Sequence, residues 1–526
     1  MANYPSIFND VIGPVMRGPS SSHCAASLRI GRICRDLMDA QFTDILIEFD
    51  PNGSLATTHE SQGSDMGLFG GFLGWEAYDE RLVNSTSEIK AARIQVKFEI
   101  HDIKATHPNT YKLTLNNAKE THELTAISIG GGMIDVIEID GNALTMEGDY
   151  FETLIYCSSK GTISELLEKF IPYESLQYLD GARKFYQLKT NSPIHEDVLQ
   201  MLSELKEVET IKSISPVLPV LSRKDIKVPF NTCDEMLAYN ADKHLSLWEL
   251  AVHYESARGD ISHEEVIEKM GDIIDIMDAS IRSGLKGTEF KDRILGAQSL
   301  VFKQKLASKS LLEGDMMNTI IMFVSSMMEV KSSMGVIVAA PTAGSCGALP
   351  GAIIGAASTL KLSREETIKA MLAASMIGVF IAAHATFAAE VGGCQAECGS
   401  GAGMAAAALV FMAKGSLEQS LSAASLALQN SLGMICDPIA NRVEAPCLGK
   451  NVLAATNALS CANMALSNYD HLIPLDEVID TMDKVGKAID SDLRCTALGG
   501  LSITKTAKAI EAKLGEVHTG FAFKSC

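Results

Sequence analysis

Cysteines beside glycine or proline are the side chains of this sequence best suited to hold a metal. Eight of the twelve cysteines stand at or after Cys346. Several fall in four loops, at 341–347, 392–401, 436–438 and 445–447, where a backbone of small residues leaves room for a cofactor. Thiolates are ligands for soft metals. No pair has the two-residue spacing of a zinc knuckle or a ferredoxin motif, so spacing alone gives only a weak metal signal.

The final residue, Cys526, is also a cysteine. Its β-sulfur and free α-carboxylate stand in the same relation as the β-oxygen and carboxylate of serine. Such a tail could close an iron–sulfur site that otherwise receives a small β-hydroxy acid. The alternative is a disordered end with an incidental thiol. Phe521 and Phe523, next to Gly520, favour a tail that docks.

The charge and cysteine content restrict the possible partners and the compartment. With 65 acidic and 45 basic residues the formal net charge is −20, which argues against a nucleic acid or an anionic membrane as partner. The substrate is therefore expected to be small. The first residues form no charged-then-apolar signal segment, and reduced thiols fit a reducing compartment. We expect a cytoplasmic protein without disulfides.

The hydrophobic pattern predicts a multidomain protein with three structured parts. Short strands and turns over 1–145 predict an α+β domain. Residues 146–217 follow a βαββαβ order, the ferredoxin-like outline of small amino-acid-sensing (ACT-type) modules. A proline-containing linker over 218–231 leads to an all-α part over 232–526. Because this last part holds the cysteine loops, we expect it to enclose the chemistry.

One stretch of the all-α part, 371–391, is apolar enough to suggest a membrane span. His384 interrupts this stretch and Glu390 closes it. The next residues, 392–394, form a glycine turn with a thiol where a basic flank would be expected. The pattern therefore predicts a buried central helix rather than a membrane helix.

Five segments together resemble the iron–sulfur-dependent L-serine dehydratases, over most of the chain. They are the runs 18–23 (Gly-Pro-Ser-Ser-Ser-His), 341–345 (Pro-Thr-Ala-Gly-Ser), 393–397 (Gly-Cys-Gln-Ala-Glu), 436–438 (Cys-Asp-Pro) and 446–447 (Pro-Cys). The resemblance implies a 4Fe-4S cluster held by Cys394, Cys436, Cys447 and the C-terminal Cys526. Cys346 and Cys398 lie in the same loops and are reserve candidates.

The resemblance also implies a reaction and a substrate site. The reaction is the conversion of L-serine into pyruvate and ammonia, and the partners are a small amino-acid substrate and a second copy of the chain in a homodimer. The substrate-binding residues implied by the match are Ser20, Ser21, Ser22, Thr342, Gly344 and Ser345. Taken alone, the serine run could equally be a turn that caps the following helix, with His23 as a capping residue.

Two departures from the family pattern bear on the catalytic residues. Where many relatives have Gly-His-Gly-Thr-Asp, this chain has Gln62 in place of the histidine, and glutamine cannot act as a base. His23 and His59 are therefore the candidate catalytic bases, with His384 as a further candidate. Arg442 stands where an aliphatic residue is usual; it could recognise an acidic group on the substrate or be structural.

Two other functions stay open at this point. The chain could be a related lyase that acts on another small substrate, such as cysteine or a β-hydroxy amino acid. It could also be a non-catalytic sensor in which the ACT-like module binds an amino acid and the cluster reports oxygen or iron. The remaining cysteines are expected to be buried core thiols: Cys24, Cys34, Cys157, Cys233, Cys461 and Cys495.

Overall fold

The computed structural model describes residues 4–161, 163–291 and 293–519. Cys526, the fourth predicted metal ligand, lies outside the described residues. The chain divides into two compact units. The first, called the helical unit, combines residues 1–19 with 227–526, and the second, called the α+β unit, contains residues 20–226.

A six-stranded sheet forms the first part of the α+β unit. Asp44–Phe49 pairs in parallel with the edge strand Gln95–Ile100 and antiparallel with Thr110–Asn116. The sheet continues with three antiparallel strands in chain order, Thr121–Gly130, Met133–Ile139 and Asn142–Met146. Helices Ala26–Leu37 and Ser64–Leu73 pack on its buried face. Shorter helical segments are Ser21–Ala25, Leu55–Thr58, Glu80–Asn84 and Ser85–Ala91.

A four-stranded antiparallel sheet forms the second part of this unit. Its strands are Phe151–Cys157, Ser175–Asp180, Lys184–Thr190 and Val208–Ile214, and its helices are Ile163–Phe170 and Glu196–Ser203. The elements follow in the order expected from the sequence, and in space the strands run fourth, first, third, second. The strands Ser175–Asp180 and Lys184–Thr190 form an antiparallel hairpin, with Leu188 opposite Leu176. An amino-acid-sensing role for this sheet stays a prediction.

The two sheets of the α+β unit share a hydrophobic core. In the four-stranded sheet, Ile155 and Leu188 pack against the helices of that sheet. Leu154 and Tyr156, which alternate with Ile155 along the strand, point the other way and join the core of the six-stranded sheet. Both faces of the four-stranded sheet are thus covered. The residues predicted as two separate domains therefore form one compact unit from residue 20 onward.

Long helices build most of the helical unit. Its central helix, Arg364–His384, starts with a capping box formed by Ser363 and Glu366. It is the one helix in the described part of the chain long and apolar enough to cross a membrane. Of its apolar 18-residue stretch, 78% is buried in the protein. This burial confirms a buried core helix, although the helix ends at His384 and does not extend to residue 391 as predicted. The other helices are Cys233–Asn240, Leu247–Gly259, His263–Gly284, Ser299–Ala307, Asp315–Ser332, Ala348–Leu360, Ala389–Gly392, Ser400–Met412, Leu417–Gln429, Cys447–Leu466, Leu475–Ala488 and Lys505–Thr519.

The first residues of the chain belong to this helical unit. Val15–Arg17 pairs antiparallel with Val336–Val338, so the part expected to be all-α contains a short two-stranded sheet. Nearby, the buried carboxylate of Glu255 accepts the Ser6 hydroxyl at 2.5 Å and the Ile7 N–H at 2.7 Å. These bonds explain why residues 1–19 group with the helical unit and not with the predicted N-terminal domain.

Candidate metal centre

Three of the predicted ligands, Cys394, Cys436 and Cys447, come from separate segments of the helical unit. Each is at most 4% exposed. The sulfur atoms of Cys394 and Cys436 and a carboxylate oxygen of Glu397 all lie within 4.8 Å of one another. The Cys447 thiol interacts electrostatically with Cys394. The structure thus brings the first two thiols together from positions far apart in the sequence, and the helix that begins at Cys447 reaches Cys394 through Lys450, whose Nζ lies 3.9 Å from the Cys394 sulfur.

The loop that carries Cys394 is bonded to the segment that precedes Cys436. Gly393 has a φ of +70°, and a Cβ atom there would lie 2.8 Å from the Met434 carbonyl oxygen. The same carbonyl accepts the Gln395 N–H at 3.0 Å. A side chain at position 393 would therefore push the two loops apart.

The backbone around Cys436 is held on its other side as well. Its N–H donates to the Leu493 carbonyl at 2.8 Å, and the Cys495 N–H donates to the Cys436 carbonyl at 2.8 Å. The following residue, Asp437, accepts the Leu501 N–H at 2.8 Å. These three bonds fix the second thiol against the segment that leads to the last helix.

Cys447 is the first residue of the helix Cys447–Leu466, where the helix macrodipole favours a thiolate. Asn451, one turn later, is fully buried. Its amide donates to the carbonyl oxygens of Gly344 and Cys447, both at 2.9 Å. Its side-chain oxygen accepts two backbone N–H groups just beyond Gly344, at 3.1 and 3.0 Å. The helix of the third thiol is thereby joined to the predicted substrate turn.

The protons are unevenly shared among the thiols. The pKa of Cys394 lies well below its ordinary value because Cys398 and Cys436 donate hydrogen bonds to its sulfur. The same bonds raise the pKa of Cys398 and of Cys436, and burial raises that of Cys447. Cys394 is therefore the thiolate of the group, and the other thiols hold protons that metal binding would release.

A lysine lies directly beside this thiolate. The Nζ of Lys450 donates to the carbonyl oxygen of Ile435 and to Oδ1 of Asp437, both at 2.6 Å, and lies 3.9 Å from Cys394 Sγ. Burial alone would lower the pKa of Lys450, but the Cys394 thiolate and Asp437 raise it above the ordinary value. Lys450 is therefore a cation at the centre.

The predicted substrate turn lies against Glu397. The Thr342 hydroxyl donates to Glu397 Oε1 at 2.6 Å, and the N–H of the fully buried Ser345 donates to Thr342 Oγ1 at 3.2 Å. A Cβ atom at Gly344 would lie 2.7 and 2.8 Å from the two Glu397 carboxylate oxygens, so a side chain there would displace this carboxyl group. Burial and the Cys394 thiolate raise the pKa of Glu397 to about 8, so this carboxyl exchanges its proton near neutral pH.

The chemistry of these donors fits a soft metal. Cys394, Cys436 and Cys447 offer three sulfur atoms, and within the described residues the Glu397 carboxylate lies within 4.8 Å of the first two. Sulfur-rich donor sets select zinc, copper(I) or iron–sulfur groups over hard cations. This part of the helical unit can therefore bind a metal cluster.

His23 lies in the α+β unit with both ring nitrogens engaged. Nδ1 lies 2.9 Å from Ser20 Oγ, and Nε2 lies 2.9 Å from Thr58 Oγ1. Because the Thr58 hydroxyl donates to the Ser54 carbonyl, it accepts from Nε2–H, and Nδ1 accepts from Ser20. Burial, and then the nearby His59, lower the pKa of His23 to about 4, so the ring is neutral at physiological pH. The Ser20 hydroxyl therefore donates a hydrogen bond to His23 and does not cap the following helix.

His59, the second candidate base, is paired with a carboxylate. Its Nδ1 lies 2.7 Å from Asp65 Oδ1, and its ring stacks on Phe98 with centroids 5.0 Å apart. Burial lowers the pKa of His59, but Asp65 outweighs it and the pKa is raised. The α+β unit thus brings together a neutral histidine and a carboxylate-oriented one, on segments joined through Thr58.

The other predicted positions have different surroundings. In the serine run, Ser21 is buried and Ser22 half-buried. Burial raises the pKa of Cys346 to about 12, and its sulfur lies 3.9 Å from that of Met328, as expected for a core thiol. His384 is exposed, with Nε2 at 3.0 Å from the Asn231 carbonyl oxygen.

Cys495 differs from its prediction as a core thiol. It is partly exposed and packs beside Cys394 and Cys436, because the backbone bond to Cys436 places it there. Arg442, the other departure from the family pattern, is half-buried and acts electrostatically on Glu444. The remaining predicted core thiols are buried as expected: Cys24, Cys34, Cys157, Cys233 and Cys461.

Sequence reasoning did not assign a role to three residues of this centre. Glu397 is the last residue of the run 393–397. Lys450 and Asn451 lie three and four residues after Cys447 on one helix. Residues at those offsets share the helix face of Cys447. That offset is the signal that could have identified the last two.

Comparisons with known proteins identify the family of this chain. A family model described as the serine dehydratase alpha chain matches residues 242–502. The L-serine dehydratase alpha chain of Peptoniphilus asaccharolyticus is 38% identical over 283 residues, which are 53% of this chain and 96% of that protein. A probable L-serine dehydratase alpha chain of Bacillus subtilis is 35% identical over 285 residues, 54% of this chain and 95% of that protein. A probable beta chain of the same bacterium is 35% identical over 210 residues, 38% and 94% of the two chains.

These relatives place the protein among the lyases. The chain belongs to the L-serine dehydratase family. Segments similar to an alpha chain and to a beta chain are present here in a single polypeptide.

Proposed function

We propose that this chain converts L-serine into pyruvate and ammonia, with a 4Fe-4S cluster as its cofactor. The observation that carries the proposal is the approach of the buried Cys394 and Cys436 thiols to Glu397, which accepts the Thr342 hydroxyl of the predicted substrate turn. The buried Cys447 thiol interacts electrostatically with Cys394. Family membership supports the reaction, since the similar alpha chains are named L-serine dehydratases.

The three thiols would hold the cluster, and Cys526 would supply a fourth, displaceable thiolate. When bound, the cluster offers an iron without a permanent protein ligand, which acts as a Lewis acid for the departing hydroxyl group. The protein contributes a site largely withdrawn from water, since each of the three cysteines is at most 4% exposed. Exclusion of water strengthens every charge interaction made there.

The substrate would be oriented by groups of opposite character. The half-buried Thr342 and the N–H groups of its turn would bind the carboxylate, as the family resemblance implies. Glu397, held by the Thr342 hydroxyl at 2.6 Å, would bind the ammonium group. One hydrogen bond thus sets the spacing between the two subsites.

His23 would accept the α-proton, and His59 would assist proton transfer. A neutral His23 can accept a proton at physiological pH, and its Nδ1 is connected to the Ser20 hydroxyl, which would relay it. Removal of the α-proton and departure of the β-hydroxyl as water leave 2-aminoacrylate. This compound hydrolyses in water to pyruvate and ammonia, so no redox partner is needed.

A related lyase is the second candidate, because Gln62 replaces the histidine usual in the family. Such an enzyme would prefer L-cysteine, or a β-hydroxy amino acid other than serine. The test is a comparison of kcat/KM for L-serine, L-threonine, L-cysteine and D-serine with protein purified under nitrogen. Keto acid formation would be coupled to a dehydrogenase. We expect L-serine to give the highest value; a higher value for L-cysteine or L-threonine would favour the second candidate.

A further inference from the structure

Lys450 contacts every segment that carries one of the three thiols. It lies on the helix of Cys447, three residues further along. Its Nζ donates at 2.6 Å to the Ile435 carbonyl and at 2.6 Å to Asp437 Oδ1, the residues on either side of the second thiol. The first thiol, Cys394 Sγ, lies 3.9 Å away. An ammonium group has three donors, and all three have acceptors here.

The position of Lys450 opposes two ordinary preferences. It stands in the first turn of the helix Cys447–Leu466, where the macrodipole disfavours a cation. Its side chain is only 16% exposed, and withdrawing an ammonium group from water costs free energy that its partners must offset. A cation kept in such a place indicates a role at the thiols.

Resting on the proposed cluster, we propose that Lys450 is a positioning residue that fixes the Cys394 sulfur and offsets the negative charge of the thiolate set. Asp437 holds Lys450 and is itself held by the Leu501 N–H at 2.8 Å. A positive charge beside a redox group favours the state with one more electron. Lys450 therefore sets how readily the cluster is reduced.

The test is an anaerobic one-electron redox titration of the full-length protein, followed by electron paramagnetic resonance of the reduced cluster. In Lys450→Met we expect the ratio of reduced to oxidised cluster, at a fixed potential, to fall on the order of tenfold, a shift of about 59 mV. Lys450→Arg keeps the charge and should restore the parent value. Asp437→Asn removes a negative charge and should shift the ratio in the opposite direction.

Lys212 provides a matched control in the α+β unit. It is buried, and its Nζ pairs with Asp39 at 2.7 Å and with Glu120 at 2.6 Å. Lys212→Met should lower the free energy of unfolding and leave the titration unchanged. If Lys450→Met does not fold, the redox titration of Asp437→Asn tests the inference instead.

Two results would overturn the inference, and they are distinguishable. A cluster-containing parent with an unshifted titration in Lys450→Met or Asp437→Asn overturns the role of Lys450 alone. A parent protein that holds no cluster overturns the proposed function, and this inference with it.

Discussion

Asn451 joins Cys447 to Gly344, since its amide donates to both carbonyl oxygens at 2.9 Å. One side chain therefore sets the third thiol relative to the substrate turn. Gly344 lies 107 positions from Asn451 in the chain, and Cys447 lies 4 positions from it. The helix that begins at the proposed ligand Cys447 thus also carries the residue that orients it.

Replacing Asn451 should damage folding and metal binding together. Asn451→Ala removes four hydrogen bonds to buried backbone groups, for a loss of about 3 kcal/mol or more in the free energy of unfolding. Urea unfolding and iron content measure the two effects. Asn457→Ala, on the same helix, should lose less of both; equal losses would show that Asn451 has no special role.

The depressed pKa of His23 predicts a pH-dependent stability. The unfolded chain binds this proton near pH 6.5 and the folded chain only near pH 4, so the contribution is complete above pH 6.5 and is lost as the pH falls towards 4. The full effect is roughly 3 kcal/mol. His23→Gln should flatten the slope between pH 7 and pH 5 in urea unfolding, whereas His384→Gln, at an exposed position, should not. An unchanged slope in His23→Gln would mean that His23 is not buried and neutral.

The two histidines should differ in their effect on turnover. His23→Ala removes the proposed base and should lower kcat by roughly 10²-fold or more. His59→Ala should cost less, because His59 is held by Asp65 at 2.7 Å and assists rather than accepts the α-proton. Steady-state kinetics on L-serine measures both. An equal or larger loss in His59→Ala would reverse the two roles.

The C-terminal thiol should behave as an internal competitor. Cys526→Ala should lower the apparent KM for L-serine, because a tethered serine analogue at high effective concentration is gone. It should also shorten the life of the cluster absorbance in air. Adding residues after Cys526 should also remove this competition, because the thiol no longer stands beside a free carboxylate. If Cys526→Ala changes neither the apparent KM nor the decay of the cluster absorbance, the C-terminal thiol has no role at the cluster.

The sequence predicted the elements better than their assembly. The order of strands and helices over 151–214 followed from local patterns, but the strand Phe151–Cys157 is buried at nearly every position. Such a strand has both faces covered, which indicates a shared core. The three-residue strand Val15–Arg17 is too short to be recognised without its partner Val336–Val338.

The site was predictable only in part, for a similar reason. The family resemblance supplied Cys394, Cys436 and Cys447, whereas no spacing rule selects cysteines 42 and 11 positions apart. Lys450 reaches Cys394 across 56 positions, and Glu397 reaches Thr342 across 55. Contacts of this range are made by tertiary packing, which local patterns do not encode.

Iron content and pyruvate formation, measured on the same anaerobic preparations, test the central claim most directly. The parent and Cys461→Ser, a buried thiol beside Asn430 and Asn457, should each carry about four irons per chain and form pyruvate from L-serine. Cys436→Ser should lose most of the iron and the activity. A Cys436→Ser protein with full iron and parental pyruvate formation would contradict the account.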